Sequence, residues 1–418
     1  MSKLPLTLIQ LLQQAVTSHR HALRLDKENT DVLFNAAQTM TDLAEEIIEN
    51  GAGEEQIIQE SPILLLREAL ELLDTCYQRQ QALFGEQQQQ LSASSGDEPE
   101  DEGGVPLDSS AGPQTAPQDD EPGESETFAT IQHPVTPLDL LDTANASLAA
   151  LTLLVSVDEL SSLSALANLG DNLASTTIPQ CIAQLPIDEQ IGAKKEAVLE
   201  AASFVAALSN AEFTTQAVDM PTYLSRMAVF ETLDLAGDFA AICTYADHLV
   251  ELTKAVVQAS LPKIYVQYAQ DAWNAATKAQ SLYEAALGFR NSPDLTPHRK
   301  ASLLESQADV SLLCCRLCLT TFELPRAIHD TLPAHCEAAQ IFYQSANREY
   351  RAAGDEKAAT KVEIRFLASR LCAYTYKIAP NQSRSALLAS LQNHGLLGEL
   401  VFKEMLEEGL LEENVVHT

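Results

Sequence analysis

The chain has 418 residues, of which 46% are apolar, and a formal net charge of −33. That apolar share is enough for a sizeable core, and the length allows two or three ordinary domains or one extended repeat array. The acidity argues against binding nucleic acid through phosphates or an anionic membrane surface, because both need a basic protein surface. The eight cysteines lack the spacing of a disulfide framework, which indicates a reducing compartment, cytoplasm or nucleus.

The start of the chain and its hydropathy indicate no targeting segment. No small-residue cleavage site follows the first twelve residues, so we expect no secretory signal. No window approaches eighteen uninterrupted apolar residues, so we also expect no membrane span.

The acidic residues are concentrated in one part of the chain. Between Arg79 and Lys194 there is no lysine or arginine, yet this stretch carries nineteen Asp or Glu residues. Twelve of the nineteen lie between Glu86 and Glu126. Because like charges repel one another and oppose the compact state, this density does not serve stability. It favours a function in which this acidic region binds a strongly positive partner.

Residues 1–84 are predicted to form helices. Apolar side chains recur at helical spacing from Leu8 to Leu23, and again from Val32 to Leu43. Ser61 and Pro62 then have the residue types of an N-cap and a first helical position, so a third helix is expected to begin there.

Residues 85–135 have a different composition. They are rich in Gln, Ser, Gly, Pro, Asp and Glu and contain almost no large apolar side chains. Such a segment cannot bury enough apolar surface to offset the chain entropy lost on folding, so we predict a disordered acidic loop or linker. Two roles stay open for it: contact with a basic client, or a solubilising spacer.

Helical periodicity returns at residue 136 and continues to about residue 411, with a flexible tail predicted for 412–418. Thr136, Pro137 and Asp139 fit an N-cap, a first helical residue and a capping-box carboxylate. Gly and Pro residues, Gly170 among them, divide the region into helices of roughly 12 to 25 residues. No strand-like alternation flanked by turn residues is present. The predicted fold class is all-α.

A small–large–small spacing recurs in three of the predicted helices. The three sets are Ala15, His19 and Ala22; Ala279, Tyr283 and Ala286; and Ala339, Tyr343 and Ala346. Small residues at these offsets let a neighbouring helix approach closely, while the ring fills the space between layers. The pattern resembles the second helix of a tetratricopeptide (TPR) repeat, although the strict 34-residue period is not kept.

This resemblance implies a degenerate TPR-like stack of antiparallel helix pairs, an alpha-alpha superhelix, with the long acidic insert between two pairs. An irregular helical bundle is the alternative. Two kinds of TPR protein combine such a stack with strong acidity: escort chaperones of newly made ribosomal proteins, and NASP-type histone chaperones. In the histone chaperones the acidic segment interrupts a repeat. Here it is expected to fall after Phe84 and before Thr136, which favours the ribosomal-protein escorts.

Only one cluster of residues suggests metal chemistry. Cys314, Cys315 and Cys318 lie close in sequence to His329 and Cys336. A zinc site needs four converging ligands, whereas the helical pattern around these cysteines favours buried thiols that pack as small apolar groups. The chain contains no phosphate-binding glycine loop and no nucleophile motif. We therefore expect no enzymatic activity, metal or cofactor.

The sequence predicts a non-enzymatic acidic helical-repeat chaperone that binds and shields a highly basic client, with no direct nucleic-acid or membrane contact. A newly made ribosomal protein is the first choice of client and a histone the second. The other hypothesis is a scaffold or adaptor subunit in which the acidic insert is only a spacer. The residues assigned to client binding are Asp97, Glu98, Glu100, Asp101, Glu102, Asp119, Asp120, Glu121, Asp139 and Asp142.

Overall fold

The computed structural model of the chain is all-helical over the residues it describes, as predicted. These are residues 7–50, 58, 60–94, 134–157, 162–258, 262–289, 293, 295–319, 324–378, 383–411 and 415. The helices are α1 (Leu8–Leu25), α2 (Thr30–Asn50), α3 (Pro62–Ser94), α4 (Pro137–Val157), α5 (Leu163–Asn172), α6 (Ile178–Gln184), α7 (Ile187–Thr214), α8 (Met220–Met227), α9 (Phe239–Gln258), α10 (Pro262–Leu287), α11 (Pro297–Cys318), α12 (Arg326–His329), α13 (Leu332–Ala352), α14 (Glu356–Thr375), α15 (Arg384–Gln392) and α16 (Gly395–Glu407). A π-helical turn, Leu173–Thr177, joins α5 to α6.

Helices that follow one another in the chain pack as neighbours. In order, α1 packs on α2, α2 on α3, α3 on α4, α4 on α7, α7 on α9, α9 on α10, α10 on α11, α11 on α13, and α13 on α14. Further contacts join α2 to α4 and α9 to α11, so alternate helices also touch. The result is a stack in which each helix pair rests on the next.

Two helices connect the apolar cores of the stack. Helix α4 contributes Leu148 to a core shared with α6 and α7, and Leu154 to a core shared with α1, α2 and α3. Helix α7 contributes Phe204 to the first of these and Ala206 to the large core that runs from α7 to α16. Because each of these helices buries two faces, the apolar interior continues along the stack.

Two of the three small–large–small sets pack as the sequence predicts. Tyr283 on α10 and Tyr343 on α13 are buried, and the alanines of both sets are completely inaccessible to solvent. Tyr283 donates a hydrogen bond to Asp247 on α9, and Tyr343 donates one to Asp309 on α11. The set around His19 is only half-buried, because α1 stands at one end of the stack and packs mainly on α2.

The boundary predicted at residue 84 is placed too early. Helix α3 continues to Ser94, because its Gln- and Ala-containing end still has good helix formers. Val135, just before α4, lies 3.1 Å from the side-chain amide of Gln87 on α3, so the end of α3 and the start of α4 lie side by side. The predicted disordered segment from residue 95 to residue 133 lies outside the described residues, as does most of the tail at 412–418.

Gly170 does not end a helix, as the sequence pattern suggested, but lies buried within α5. A β-carbon placed there would come within 2.1 Å of the Phe204 ring on α7. The glycine therefore permits a close approach of α5 to α7 that any side chain would prevent.

Candidate functional site

A line of carboxylates crosses one side of helices α2, α4 and α7. We call it the acidic ribbon and define it by Asp42, Asp139, Asp142, Glu196 and Glu200. Asp142 on α4 lies close enough to Asp139 and to Glu196 on α7 for their charges to interact, and Glu196 interacts likewise with Glu200 one turn later. Glu200 then shares a groove with Asp42 of α2.

The groove at the end of the ribbon has a volume of about 270 Å³. Its floor is α4, where Ala146 and Ala149 stand one turn apart next to Leu153. The small alanine side chains leave space between the flanking helices. Asp42 of α2 stands on one side of this floor and Glu200 of α7 on the other. The groove thus combines an apolar base with acidic walls.

Three of the ribbon carboxylates, those of Asp42, Asp142 and Glu200, are held in surroundings that disfavour their charge. Asp42 and Asp142 lie at the surface, but neighbouring protein atoms displace part of the water around each carboxylate, and this partial desolvation raises its pKa. The nearby charges of Glu196 and Asp139 raise the pKa of Asp142 further. The pKa of Glu200 is raised for the same two reasons, burial first and then the charge of Glu196. Among the described residues, no cation lies within ion-pair distance of Asp42, Asp142, Glu196 or Glu200.

The cations nearest to the ribbon in sequence are turned away from it. Lys195 on α7 pairs with Asp238, its Nζ 3.0 Å from Oδ2. Lys194 points to the opposite face of α7, where it lines an apolar groove of about 530 Å³ together with Ile182 and Val198. Arg79 on α3 pairs with Glu28, Nη2 to Oε2 3.1 Å. The ribbon therefore keeps an uncompensated negative charge even where lysines adjoin it in the sequence.

Of the ten residues assigned to client binding, two lie in the described structure. Asp139 completes the predicted capping box, since its Oδ2 accepts hydrogen bonds from the Thr136 backbone N–H at 2.7 Å and from Thr136 Oγ1 at 2.8 Å. Asp142 is exposed at the centre of the ribbon. The eight acids of the insert, Asp97, Glu98, Glu100, Asp101, Glu102, Asp119, Asp120 and Glu121, lie outside the described residues.

Sequence reasoning missed three members of the ribbon: Asp42, Glu196 and Glu200. Glu196 and Glu200 are four residues apart and so share a face of α7, which was a readable signal. They lie beyond Lys194, outside the stretch without lysine or arginine from which the candidate residues were taken. Asp42 could not be placed, since nothing local in the sequence brings α2 beside α7.

A second group of carboxylates, in the C-terminal half, surrounds a buried arginine. Arg365 on α14 is only 3% exposed. Its Nη1 lies 2.8 Å from Asp309 Oδ2, and its Nη2 lies 2.6 Å from Glu404 Oε1 and 3.0 Å from Glu408 Oε2. Lys361 adds a second cation, 2.8 Å from Glu404 Oε1. We call this group the Arg365 centre.

The cysteine cluster around α11 is buried in apolar surroundings. Cys314 packs in the main core, whereas Cys315 belongs to a small separate cluster with Cys336. Cys318 donates a hydrogen bond to the Ile328 carbonyl at 3.3 Å. Within the part of the chain that the structure describes, no group of three or more His, Cys, Asp or Glu side chains is arranged to hold a metal ion.

Helix α4 is apolar enough, by length and composition, to cross a membrane, with a mean hydropathy of 1.6 over its most apolar window. Yet 61% of that window is buried inside the folded chain, against α3, α6 and α7. The apolar character of α4 is accounted for by its position between two cores.

Comparison with known proteins identifies no relative by sequence. No protein-family model matches the chain, and no curated protein matches it. Among solved structures, a match is found to one described as a circular tandem repeat protein with novel repeat topology and enhanced subunit contact surfaces. That match has 12% identity and a TM-score of 0.31, and it covers 98% of this chain and 78% of the other.

Proposed function

We propose that this protein is a non-enzymatic, acidic helical-repeat chaperone that binds and shields a highly basic client protein. The observation that carries the proposal is the acidic ribbon, in which Asp42, Asp142 and Glu200 have raised pKa values and, among the described residues, no cation beside them. A carboxylate that is partly desolvated and has no cationic partner raises the free energy of the folded protein. A lysine or arginine of a client would lower that free energy by pairing with it.

The groove beside Glu200 suits such a side chain. The methylene stem of a lysine or arginine would pack on Ala146, Ala149 and Leu153, while its charged head would lie between Asp42 and Glu200. Because the client's cations are then neutralised, they are no longer available to nucleic acid. The attraction acts over about 8 Å at physiological salt, so shape must supply the remaining specificity.

The acids of the insert would form a second, less specific contact with the client. Their sequence between Asp97 and Glu121 offers a high density of negative charge to a basic tail. A newly made ribosomal protein is the client class we favour, and a histone is the second. The proposed place of action is the cytoplasm or the nucleus.

The test removes charge from the ribbon without changing its shape. The variant combines Asp42→Asn, Asp142→Asn and Glu200→Gln, and its control combines Asp171→Asn, Asp330→Asn and Glu284→Gln, which remove the same charge from exposed positions elsewhere. Newly synthesised proteins are labelled briefly, captured on each variant and washed at low and high salt.

We expect the unmodified chain and the control to enrich basic proteins, and the ribbon variant to lose at least tenfold of that capture. Capture should fall at high salt, because ion pairs at an exposed surface are screened. A complex whose yield is equal at both salt concentrations, and equal for the ribbon variant, would instead support the scaffold hypothesis. Mass spectrometry of the captured proteins distinguishes ribosomal proteins from histones.

A further inference from the structure

Two cysteines on neighbouring helices bring their sulfur atoms together. Cys315 lies on α11 and Cys336 in the second turn of α13, and their Sγ atoms are 3.1 Å apart. Both are reduced and almost completely buried. A side-chain movement of about 1 Å would bring the two sulfurs to the distance of a covalent bond.

From this arrangement we infer that Cys315 and Cys336 form a reversible disulfide when the protein meets a hydroperoxide, so that α11 and α13 become covalently linked. No other pair of described cysteines has sulfur atoms this close together. Cys318, for example, donates a hydrogen bond to a backbone carbonyl at 3.3 Å instead. The inference is independent of the proposed chaperone function, because it concerns a site on other helices.

The surroundings of the pair allow a small oxidant to reach it. The two cysteines belong to a minor apolar cluster with Ala373, and this cluster is covered by Leu332 and Ile378. Both covering side chains are only half-buried, one at the start of α13 and the other just beyond α14. Hydrogen peroxide is close to water in size, so a local displacement of one of these side chains is enough for access.

The first step of the reaction belongs to Cys336. When the Cys315 thiol donates its hydrogen to the Cys336 sulfur, this hydrogen bond lowers the pKa of Cys336 against the opposing effect of burial. The Cys336 thiolate attacks one oxygen of hydrogen peroxide. It becomes a sulfenic acid, and the departing hydroxide takes up the proton that the thiol released, forming water.

In the second step the Cys315 sulfur attacks the Cys336 sulfur. The new S–S bond forms as the S–O bond breaks, and the hydroxyl leaves with the proton of Cys315 as a second water. Overall, two thiols lose two hydrogen atoms, and one hydrogen peroxide is reduced to two waters. The bond closes the chain segment between α11 and α13, which includes α12.

The experiment uses the full chain, incubated with hydrogen peroxide and then denatured, alkylated and digested with trypsin. We expect the intact mass to fall by two hydrogen atoms, and the peptide 301–316 to be joined to the peptide 327–348. Reductant should restore both peptides. The melting temperature of the oxidised protein should rise by about 3 °C, because the closed segment restricts the unfolded chain.

Because Cys314 and Cys315 fall in the same tryptic peptide, Cys314→Ala assigns the bond: the cross-link should persist in Cys314→Ala and disappear in Cys315→Ala. Cys372→Ala is the second control and should also keep the cross-link. Absence of a cross-link in the unmodified chain would overturn the inference, and so would a cross-link through Cys314 or Cys372, or addition of oxygen without paired thiol loss. Peptide mapping of the unmodified chain tests whether the bond forms even if a variant fails to fold.

Discussion

The acidic ribbon and the Arg365 centre are both groups of carboxylates, yet they meet opposite electrostatic conditions. At the Arg365 centre a buried guanidinium contacts Asp309, Glu404 and Glu408. At the ribbon, the charges that act on Asp142 among the described residues are those of two other carboxylates, Glu196 and Asp139. The two groups therefore have different effects on folding: the first joins α11, α14 and α16, whereas the second opposes the packing of the helices that carry it.

This difference shows that the acids that make up the net charge of the chain are not equivalent. At the Arg365 centre in the C-terminal half, acids are compensated by arginine and lysine and serve the structure. In the N-terminal half, a set of acids is left without compensation among the described residues. Only the uncompensated acids are available to bind a positive partner. Substitutions in the ribbon are therefore more informative than a general reduction of the net charge.

The largest expected effect comes from removing the cation of the Arg365 centre. Arg365→Ala leaves four half-buried carboxylates, Glu305, Asp309, Glu404 and Glu408, without their shared guanidinium, and only the more peripheral charges of Lys361 and Lys254 still act on them among the described residues. We expect the free energy of unfolding to fall by about 3–5 kcal/mol, since breaking a buried ion pair leaves an uncompensated charge. Urea denaturation followed by circular dichroism measures this change.

The matched control is Lys403→Ala, which removes an exposed pair with Glu407 one turn away on α16. That change should stay within about 0.5 kcal/mol, because exposed ion pairs contribute little. Equal losses for Arg365→Ala and Lys403→Ala would show that the Arg365 centre is no more important to folding than a surface pair.

The all-α fold, the N-cap at Thr136 and the burial of Tyr283 and Tyr343 could be predicted, because each depends on residues that are close in sequence. Asp142 was also singled out in the sequence, from the missing cations around it, and its assignment to client binding stays a prediction. The Arg365 centre was not, because Arg365 and Asp309 are 56 residues apart and meet only through the packing of α14 near α11. For the same reason Asp42 could not be placed beside Glu200.

Part of the stretch without lysine or arginine, between Arg79 and Lys194, has a simpler cause in the fold. Helix α4 has eleven buried residues, including Leu148 and Leu151, and lies between two cores. Lysine and arginine are excluded from such positions by their desolvation cost, whatever the helix binds. The absence of lysine and arginine from residues 137–157 is therefore mainly a packing feature, and only the exposed acids at the edge of this helix indicate a docking surface.

Glu404→Gln should produce the second-largest effect. Glu404 contacts both Arg365 and Lys361, and these charges hold its pKa below the ordinary value against the opposing effect of burial. We expect a loss of about 2 kcal/mol at neutral pH, the range for hydrogen bonds to charged groups. A group with a lowered pKa in the folded state stabilises above its unfolded pKa and loses this contribution as pH falls through the folded one. Unfolding curves of both proteins should therefore converge at acid pH.

Tyr343→Phe tests the edge of the same centre. It removes the hydroxyl that donates to Asp309 and leaves the contact of Asp309 with Arg365 in place. We expect a loss of about 1 kcal/mol, the usual net value of one hydrogen bond. The control Tyr374→Phe removes a hydroxyl from a half-buried ring and should change the melting temperature less. A loss as large as that of Arg365→Ala would mean that Tyr343, and not the arginine, organises the carboxylates.

Glu200→Gln should have the smallest effect and the opposite sign. Burial and the charge of Glu196 raise the pKa of Glu200, so the folded chain holds its proton more tightly than the unfolded chain does. Stability then falls as pH rises between the unfolded and the folded pKa, and the neutral glutamine avoids this loss. We expect Glu200→Gln to be more stable than the unmodified chain by about 0.5 kcal/mol at neutral pH, and equal to it at acid pH. Glu284→Gln, at an exposed position of α10, should show neither change. If Glu200→Gln instead destabilised the chain as Glu404→Gln does, a cation must already compensate the ribbon, and the two carboxylate groups would no longer differ.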